Sequence, residues 1–198
     1  MRKLASVMGT LFLSAAMLMG CTAPSEPAES TEPVTPPVTE QPNDVSDQKA
    51  TAEEQQQALE MSLEYKTTEL TVDGKDYEDT LEMEGLLAKG GTMKPFLTSR
   101  NYEAYMANRY IVLPLQVAHI EQAKLHPENI QTKIKDNKSD WILVEYTLDL
   151  KFTDENGKEF KSIPLSGDIT FLQDQGEWRI QDDTYNRDAF ADIINSSL

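Results

Sequence analysis

Residues 141–152 read WILVEYTLDLKF, and their alternation is the strongest structural signal in this 198-residue chain. All six even-numbered positions are apolar: Ile142, Val144, Tyr146, Leu148, Leu150 and Phe152. The odd positions from 145 onward carry Glu, Thr, Asp and Lys. Because successive side chains of a strand point to opposite faces, this pattern predicts a long β-strand with one buried face.

Two further strands are predicted after this one. The turn TDENGKE at 153–159 leads into FKSIPLSGDITFL at 160–172, which places these apolar residues on one face: Ile163, Leu165, Ile169 and Phe171. Pro164 and Gly167 indicate an edge or a bulge in this strand. A second turn precedes WRIQD at 178–182, with Trp178 and Ile180 inward. Tight turns between consecutive strands predict an antiparallel meander.

The chain before the meander is mainly helical in pattern. We expect helices in 51–66, 76–91 and 98–110, the second stopping at Gly90-Gly91 and the third capped by Thr98 or Ser99. Residues 67–77 are ambiguous, and a helix end with a loop is favoured over a strand entering an Asp-Gly hairpin. The segments LQVAHIEQAKL at 115–125 and NIQTKIK at 129–135 are predicted to be short strands.

This order of elements resembles the nuclear transport factor two-like fold, also called cystatin-like or SnoaL-like. Three segments carry the resemblance: FLTSRNYEAYM at 96–106, HPENI at 126–130 and GEWRIQDD at 176–183. The resemblance implies an α+β domain in which N-terminal helices pack on the concave face of a curved antiparallel sheet. The whole would have the form of a cone.

The N-terminus has the layout of a secretory signal, with Arg2 and Lys3 ahead of an uncharged apolar stretch at 4–20. The sequence LMGC at 18–21 contains the only cysteine of the chain and resembles the lipobox of bacterial lipoproteins. That resemblance implies cleavage between Gly20 and Cys21 and attachment of a diacylglycerol to the Cys21 thiol. The fatty acyl chains, palmitate among them, would then anchor the protein in the cell membrane.

Three segments are therefore expected: a signal peptide at 1–20, a lipidated cysteine with a disordered tether at 21–52, and a single α+β domain at 53–198. The tether contains six of the chain's ten prolines and no aromatic residue, so it cannot bury enough apolar surface to fold. The domain should lie on the extracytoplasmic face of the membrane. The long Thr/Pro/Glu spacer favours a Gram-positive host.

Charge and composition restrict the partners. The net charge of −16 disfavours nucleic acid as a partner. His119 and His126 are expected on opposite faces of a strand, which gives no metal site. The predicted inner face at 142–152 carries no acid and only one hydroxyl, that of Tyr146, so catalysis is disfavoured and no cofactor or metal is expected.

The sequence thus predicts a non-enzymatic, membrane-anchored lipoprotein that binds an unknown protein, peptide or envelope component. The alternative is a small-molecule carrier or sensor that uses the cone as a pocket. The candidate pocket lining consists of Tyr105, Met106, Tyr146, Leu148, Phe171 and Trp178.

Overall fold

The computed structural model describes residues 48–74 and 80–196. Within these ranges the helices are α1 (Ala52–Leu70), α2 (Met83–Met93), α3 (Ser99–Ala107), α4 (Val112–Glu121) and α5 (Asp188–Ser196). The strands are β1 (Lys124–Asn137), β2 (Trp141–Thr153), β3 (Glu159–Asp174) and β4 (Glu177–Tyr185). The expected signal peptide, Gly20, Cys21 and most of the expected tether lie outside the described residues.

The four strands form one antiparallel sheet in the order β1-β2-β3-β4, as the meander pattern predicts. All six even-numbered residues of β2 from Ile142 to Phe152 are buried, and none is more than 3% exposed. They face α1 and the helices that follow it, and the opposite side of the sheet carries ion pairs such as Lys135 with Asp168. The predicted fold class, α+β with helices packed on a curved antiparallel sheet, is confirmed.

Helix α1 begins where the sequence indicates. Thr51 is its N-cap and forms a capping box with Glu54, because each side chain bonds the other residue's backbone N–H. Just before it, the Ala50 N–H donates to the Asn137 side chain, and the Ser139 N–H donates to the Gln48 carbonyl. The chain is therefore in contact with the sheet from Gln48 onward.

Residues 67–74 follow the favoured interpretation, a helix end and then a loop. Helix α1 continues to Leu70, and Val72 then makes an isolated antiparallel bridge with Leu125 of β1. The remainder of the ambiguous segment, from residue 75, lies outside the described residues. The Asp-Gly hairpin interpretation thus finds no support in residues 67–74.

The predicted strand at 115–125 is wrong, because this segment is mostly helix α4. Pro114 stands in the first turn of that helix, where its missing N–H costs no helical hydrogen bond. Leu115 and Ala118, three residues apart, are both buried on one helical face. The helix ends at Gln122, whose φ of 51° is left-handed. His119 accordingly lies on a helix and His126 on β1, so the assumption that both belong to one strand is also wrong.

The predicted stop at Gly90-Gly91 is wrong as well, since α2 runs through both glycines to Met93. Gly90 is buried, and a Cβ added there would lie 2.4 Å from the Met106 sulfur of α3. Its missing side chain allows α2 and α3 to approach closely and does not end the helix. The third expected helix does begin after Thr98, whose hydroxyl accepts from the Asn101 N–H.

Two strand details differ from the prediction, and one helix is new. The short strand expected at 129–135 is the central part of the 14-residue β1. Pro164 pairs with β2 but lies beyond the end of β4, so the edge interpretation of Pro164 is confirmed. The alternative of a bulge is wrong, because β2 and β3 keep their register through Pro164 and Gly167. Helix α5, absent from the prediction, packs on α4 and buries Phe190 and Ile193.

No helix within 48–74 or 80–196 is both long enough and apolar enough to cross a bilayer.

Candidate functional site

The site depends on a bulge in β4. Thr170 of β3 pairs with Asp182, but the next residue, Phe171, pairs with Ile180, so Gln181 is an extra residue. The extra residue reverses the alternation along the strand. Trp178 and Ile180 are buried at even positions, and after the bulge the buried position is Asp183.

The segment before α3 fixes this bulge. Leu97 forms a parallel bridge with Ile180, and the Thr98 N–H donates to the Ile180 carbonyl at 3.0 Å. The Thr98 hydroxyl also bonds the Gln181 side chain at 3.1 Å. The free edge of β4 is thus covered at the point where its register changes, and Asp183 is directed inward.

Helix α1 supplies the groups that face Asp183. Its buried residues recur at helical spacing and include Tyr65, Lys66 and Glu69 among Ala58, Ser62 and Leu70. Lys66 and Glu69 are 0% and 1% exposed. The buried face of this helix is therefore polar at its C-terminal half, which a simple apolar stripe would not show.

The three charged groups form a closed cluster, which we call the Lys66 cluster: Lys66, Glu69 and Asp183. The Lys66 ammonium lies 2.5 Å from an Asp183 oxygen and 2.7 Å from a Glu69 oxygen. Tyr65 and Tyr146 donate to the Asp183 carboxylate at 3.2 and 3.4 Å. A buried charge is tolerated only when it is paired and hydrogen-bonded, and this arrangement meets that requirement.

Aromatic rings enclose the ammonium. Its nitrogen lies 5.0, 4.7 and 4.5 Å from the ring centroids of Tyr65, Tyr146 and Tyr185. These distances are within the range of cation–π attraction, which is stronger away from water. The rings therefore add to the stabilisation that the carboxylates give Lys66.

Burial and neighbouring charges shift the pKa of Lys66 in opposite directions. Burial alone would lower the pKa of Lys66, but Asp183 and Glu69 outweigh it and hold that pKa well above its ordinary value. Burial raises the pKa of Glu69, and the nearby ammonium opposes this only in part. Burial also raises the pKa values of Tyr65 and Tyr105. Lys66 is consequently a permanent cation at neutral pH.

A cavity of about 260 Å³ lies beside this cluster. Four tyrosines line it, and we call it the tyrosine cavity: Tyr65, Tyr105, Tyr110 and Tyr185. Its polar lining includes the carboxylates of Glu69, Asp182 and Asp183 and the guanidinium of Arg187. It is thus a small, polar cavity that combines aromatic walls with hydrogen-bonding groups at defined positions.

Two polar atoms of this lining have no hydrogen-bond partner among the described residues, the Tyr185 hydroxyl and Arg187 Nε, and both are shielded from solvent. Arg187 Nη2 does donate to the Asp183 backbone carbonyl at 3.1 Å. The guanidinium carbon lies 4.0 Å from the Tyr110 ring centroid and 4.9 Å from that of Tyr185. Unpaired buried donors are rare in folded proteins, because each costs about 1–3 kcal/mol.

The predicted pocket residues have different positions. Tyr105 lines the tyrosine cavity, and Tyr146 contacts the Lys66 cluster without lining the cavity. Met106 is half-buried and would contact any Cβ at Gly90. The other three are buried core residues outside the lining of this cavity: Leu148, Phe171 and Trp178.

Sequence reasoning missed Lys66, Glu69, Asp183, Tyr185 and Arg187. The absence of acids on the inner face of β2 is correct, but the acids come from α1 and β4. One signal was available for Lys66 and Glu69, since they follow Ala58, Ser62 and Tyr65 at helical spacing. No such signal existed for Asp183, because simple alternation from Trp178 places Asp182 inward.

Another cleft, of about 650 Å³, lies between the end of α2, the start of α3 and the β3–β4 turn. Three of its charged side chains have partners. Arg179 pairs with Glu177, and Asp174 accepts from the Ser99 N–H at 3.4 Å. No group of three or more potential metal-ligating side chains occurs within the described ranges 48–74 and 80–196.

Comparison with known proteins supports the fold. No protein-family model matches the chain, and no curated protein matches it. A solved periplasmic fragment of TraM is 9% identical, with 67% of this chain and 96% of that chain covered and a TM-score of 0.50. A candidate polyketide cyclase from Xanthomonas campestris is 16% identical over 71% of this chain and 98% of its own, with a TM-score of only 0.34. The first likeness concerns the fold alone, and the second is too low for a structural argument.

Proposed function

We propose that this chain is an extracytoplasmic lipoprotein whose domain binds a small polar molecule in the tyrosine cavity. The observation that carries the proposal is the pair of unpaired buried polar atoms, on Tyr185 and Arg187, in the lining of a formed cavity. A ligand that accepts hydrogen bonds would remove their cost. The proposal therefore favours the small-molecule alternative over a module that binds another protein.

The size of the cavity limits the ligand. Drug-sized ligands occupy pockets of roughly 300–1,000 Å³, and the tyrosine cavity is smaller, at about 260 Å³. The larger cleft beside Arg179 is less suited, since Arg179 pairs with Glu177 and Asp174 accepts from a backbone N–H. The expected ligand is thus a small metabolite-sized molecule.

The Lys66 cluster favours binding over covalent catalysis. A nucleophilic lysine must be neutral, and neighbouring carboxylates keep Lys66 protonated. Burial raises the pKa values of the cavity tyrosines Tyr65 and Tyr105, which keeps them protonated near neutral pH and so unable to accept a proton. The cluster then serves to hold α1 against β4 and so to shape one wall of the cavity.

The binding proposal is tested by fragment titration of the full chain in detergent, followed by amide NMR. Saturable shifts should concentrate at Asn101, Tyr105 and residues 182–187, which surround the tyrosine cavity. The cleft formed by Lys94, Tyr102 and Arg179 is an internal control, and the amide resonances of its residues should not shift. A screen of neutral, anionic and cationic fragments that shifts no cavity residue would contradict the proposal.

The anchor is tested by metabolic labelling. The leader and the lipobox at 18–21 support lipid attachment at Cys21, and the extracytoplasmic location follows from it. A clickable fatty-acid analogue should label the wild-type chain, and Cys21→Ala should abolish the label and release the protein from the membrane fraction. Ser14→Ala, within the leader, is the matched control and should keep the label. Equal labelling of Cys21→Ala and wild type would rule out this anchor.

A further inference from the structure

We infer that the tyrosine cavity takes a small monocarboxylate with an apolar, preferably aromatic, body, and that Arg187 and Tyr185 bind its carboxylate. This inference rests on the proposed function and adds the chemical class of the ligand. It depends on an arginine without an acidic partner in a strongly acidic chain.

The chain has 34 acidic and 18 basic side chains. Even so, Arg187 makes no salt bridge to any carboxylate within the described ranges, whereas the sheet lysines Lys133, Lys135 and Lys151 all do. Its guanidinium hydrogen-bonds the Asp183 carbonyl and the Tyr110 side chain, and it leaves Nε unpaired. A guanidinium has five N–H donors in a fork that matches a carboxylate. The missing counter-ion is supplied by the ligand.

The acids beside the cavity do not prevent this. Asp183 and Glu69 share the Lys66 ammonium at 2.5 and 2.7 Å, and that single charge balances one of the two carboxylates. Burial raises the pKa of Glu69, which makes it the acid of the pair that more readily holds a proton. Asp182 is exposed, so water and salt screen its charge. Asp183 and Glu69 act on Arg187 electrostatically, but no carboxylate of the described ranges forms an ion pair with its guanidinium. One negative charge beside Arg187 is therefore balanced, and a doubly charged ligand would meet repulsion from Asp182 and Asp183 of the lining.

The rest of the lining selects the body of the ligand. The walls are tyrosine rings, which bind flat or apolar groups by stacking and by burial of area. Tyr105 and Tyr110 already meet edge to face, with centroids 6.1 Å apart. With its body between these rings, the ligand would place its carboxylate beside Arg187 and Tyr185.

Access requires a small local movement. Arg187 Nε and the Tyr185 hydroxyl have almost no solvent contact in this structure. Both residues are only partly buried as a whole, and Tyr185 is the last residue of β4. A rotation of either side chain brings its donor to the ligand without any change in the sheet.

The test compares three probes that share a phenyl ring and have similar size on the full chain in detergent: benzoate, benzamide and benzylamine. Dissociation constants are measured by amide NMR titration, with shifts followed at Tyr105, Thr184 and Arg187. Benzoate should bind at least roughly tenfold more tightly than either of the others, because a hydrogen bond to a charged group contributes more than a neutral one. Its shifts should map to the tyrosine cavity.

Variants then assign the contacts. Arg187→Gln should raise the dissociation constant of benzoate roughly tenfold and leave that of benzamide unchanged. Tyr185→Phe should weaken benzoate several-fold while it preserves the fold, because the lost hydroxyl has no protein partner in the described ranges. Tyr102→Phe makes the same chemical change at the other cleft and should have no effect. If Arg187→Gln fails to fold, the Tyr185→Phe and Tyr102→Phe pair still decides the result.

The outcomes separate the two proposals. Benzamide or benzylamine binding as tightly as benzoate in the cavity would overturn the carboxylate class and leave the proposed function standing. Benzoate shifts confined to residues outside the cavity would also overturn it. Failure of all three probes, together with an empty fragment screen, would remove both proposals.

Discussion

Lys66 is the residue on which the buried charges depend. Its ammonium bonds both Glu69 and Asp183, and it is 0% exposed. Without it, two buried carboxylates would keep only tyrosine hydroxyls as side-chain donors among the described residues. The cost of an uncompensated buried charge is several kcal/mol, which is a large share of the stability of a domain.

Lys66→Met should therefore lower the free energy of unfolding by about 3–5 kcal/mol, measured by urea denaturation at neutral pH. Methionine has nearly the same length, so the loss reflects the charge more than the packing. Lys135→Met is the matched control, because its ion pair with Asp168 lies on the exposed side of the sheet, and it should change stability little. Equal losses in the two variants would show that the cluster contributes no special stability.

Among the elements, β2 forms the centre of the sheet and the end of β4 forms part of the wall of the tyrosine cavity. The strand β2 pairs with both β1 and β3 along nearly its whole length and buries its even-numbered side chains. The strand β4 carries the bulge at Gln181 and the inward Asp183. Gly167 lets the end of β4 approach β3, since a Cβ there would lie 2.1 Å from the Thr184 carbonyl oxygen.

Leu148→Ala should lower the free energy of unfolding by about 2–5 kcal/mol, the usual cost of a large-to-small change in a packed core. Leu148 is 3% exposed and lies between Tyr146 and Leu150 on the buried face. Asp149→Asn, one residue along but on the other face, should change stability little, because it can still accept from the Asn129 side chain. Thermal unfolding of both variants measures the difference. A similar melting temperature for both would contradict the assignment of faces.

For the whole molecule, the buried groups predict a loss of stability at high pH. The ordinary pKa values are 10.0 for tyrosine and 10.5 for lysine, and those of Tyr65, Tyr105 and Lys66 are raised in the folded state. Above these ordinary values the unfolded chain releases protons that the folded chain keeps. Since the folded state then binds more protons, the free energy of unfolding falls as pH rises.

Urea denaturation between about pH 8 and pH 11 should show this loss beginning near the ordinary pKa values. Lys66 and the two tyrosines, Tyr65 and Tyr105, act in the same direction, so their contributions add. Below about pH 9 they should contribute no slope, because both states hold the same protons. A free energy of unfolding that stays constant from pH 9 to pH 11 would be inconsistent with the buried position of these groups.

The amino-acid sequence alone was sufficient for the meander of β2, β3 and β4 and for much of the helical layer. The alternation at 141–152, the turns on either side of β3 and the Thr98 cap are local patterns, and local geometry determines their effect. Helix α4 was mispredicted because a ten-residue apolar segment satisfies both a strand and a buried helix, and only its packing decides between them. The leader and lipobox are sequence patterns too, and Cys21 remains a prediction.

Tertiary structure decided the site. The side of the sheet that Asp183 faces is set by one extra residue at Gln181, and the segment from Phe96 to Thr98 holds that residue in place from more than 80 positions away. Lys66 meets Asp183 only because α1 lies across the inner face of the sheet, 117 residues distant in sequence. Alternation reports which side chains share a face within one element. The charges that share an interior, and the donors that remain unpaired there, depend on contacts between elements.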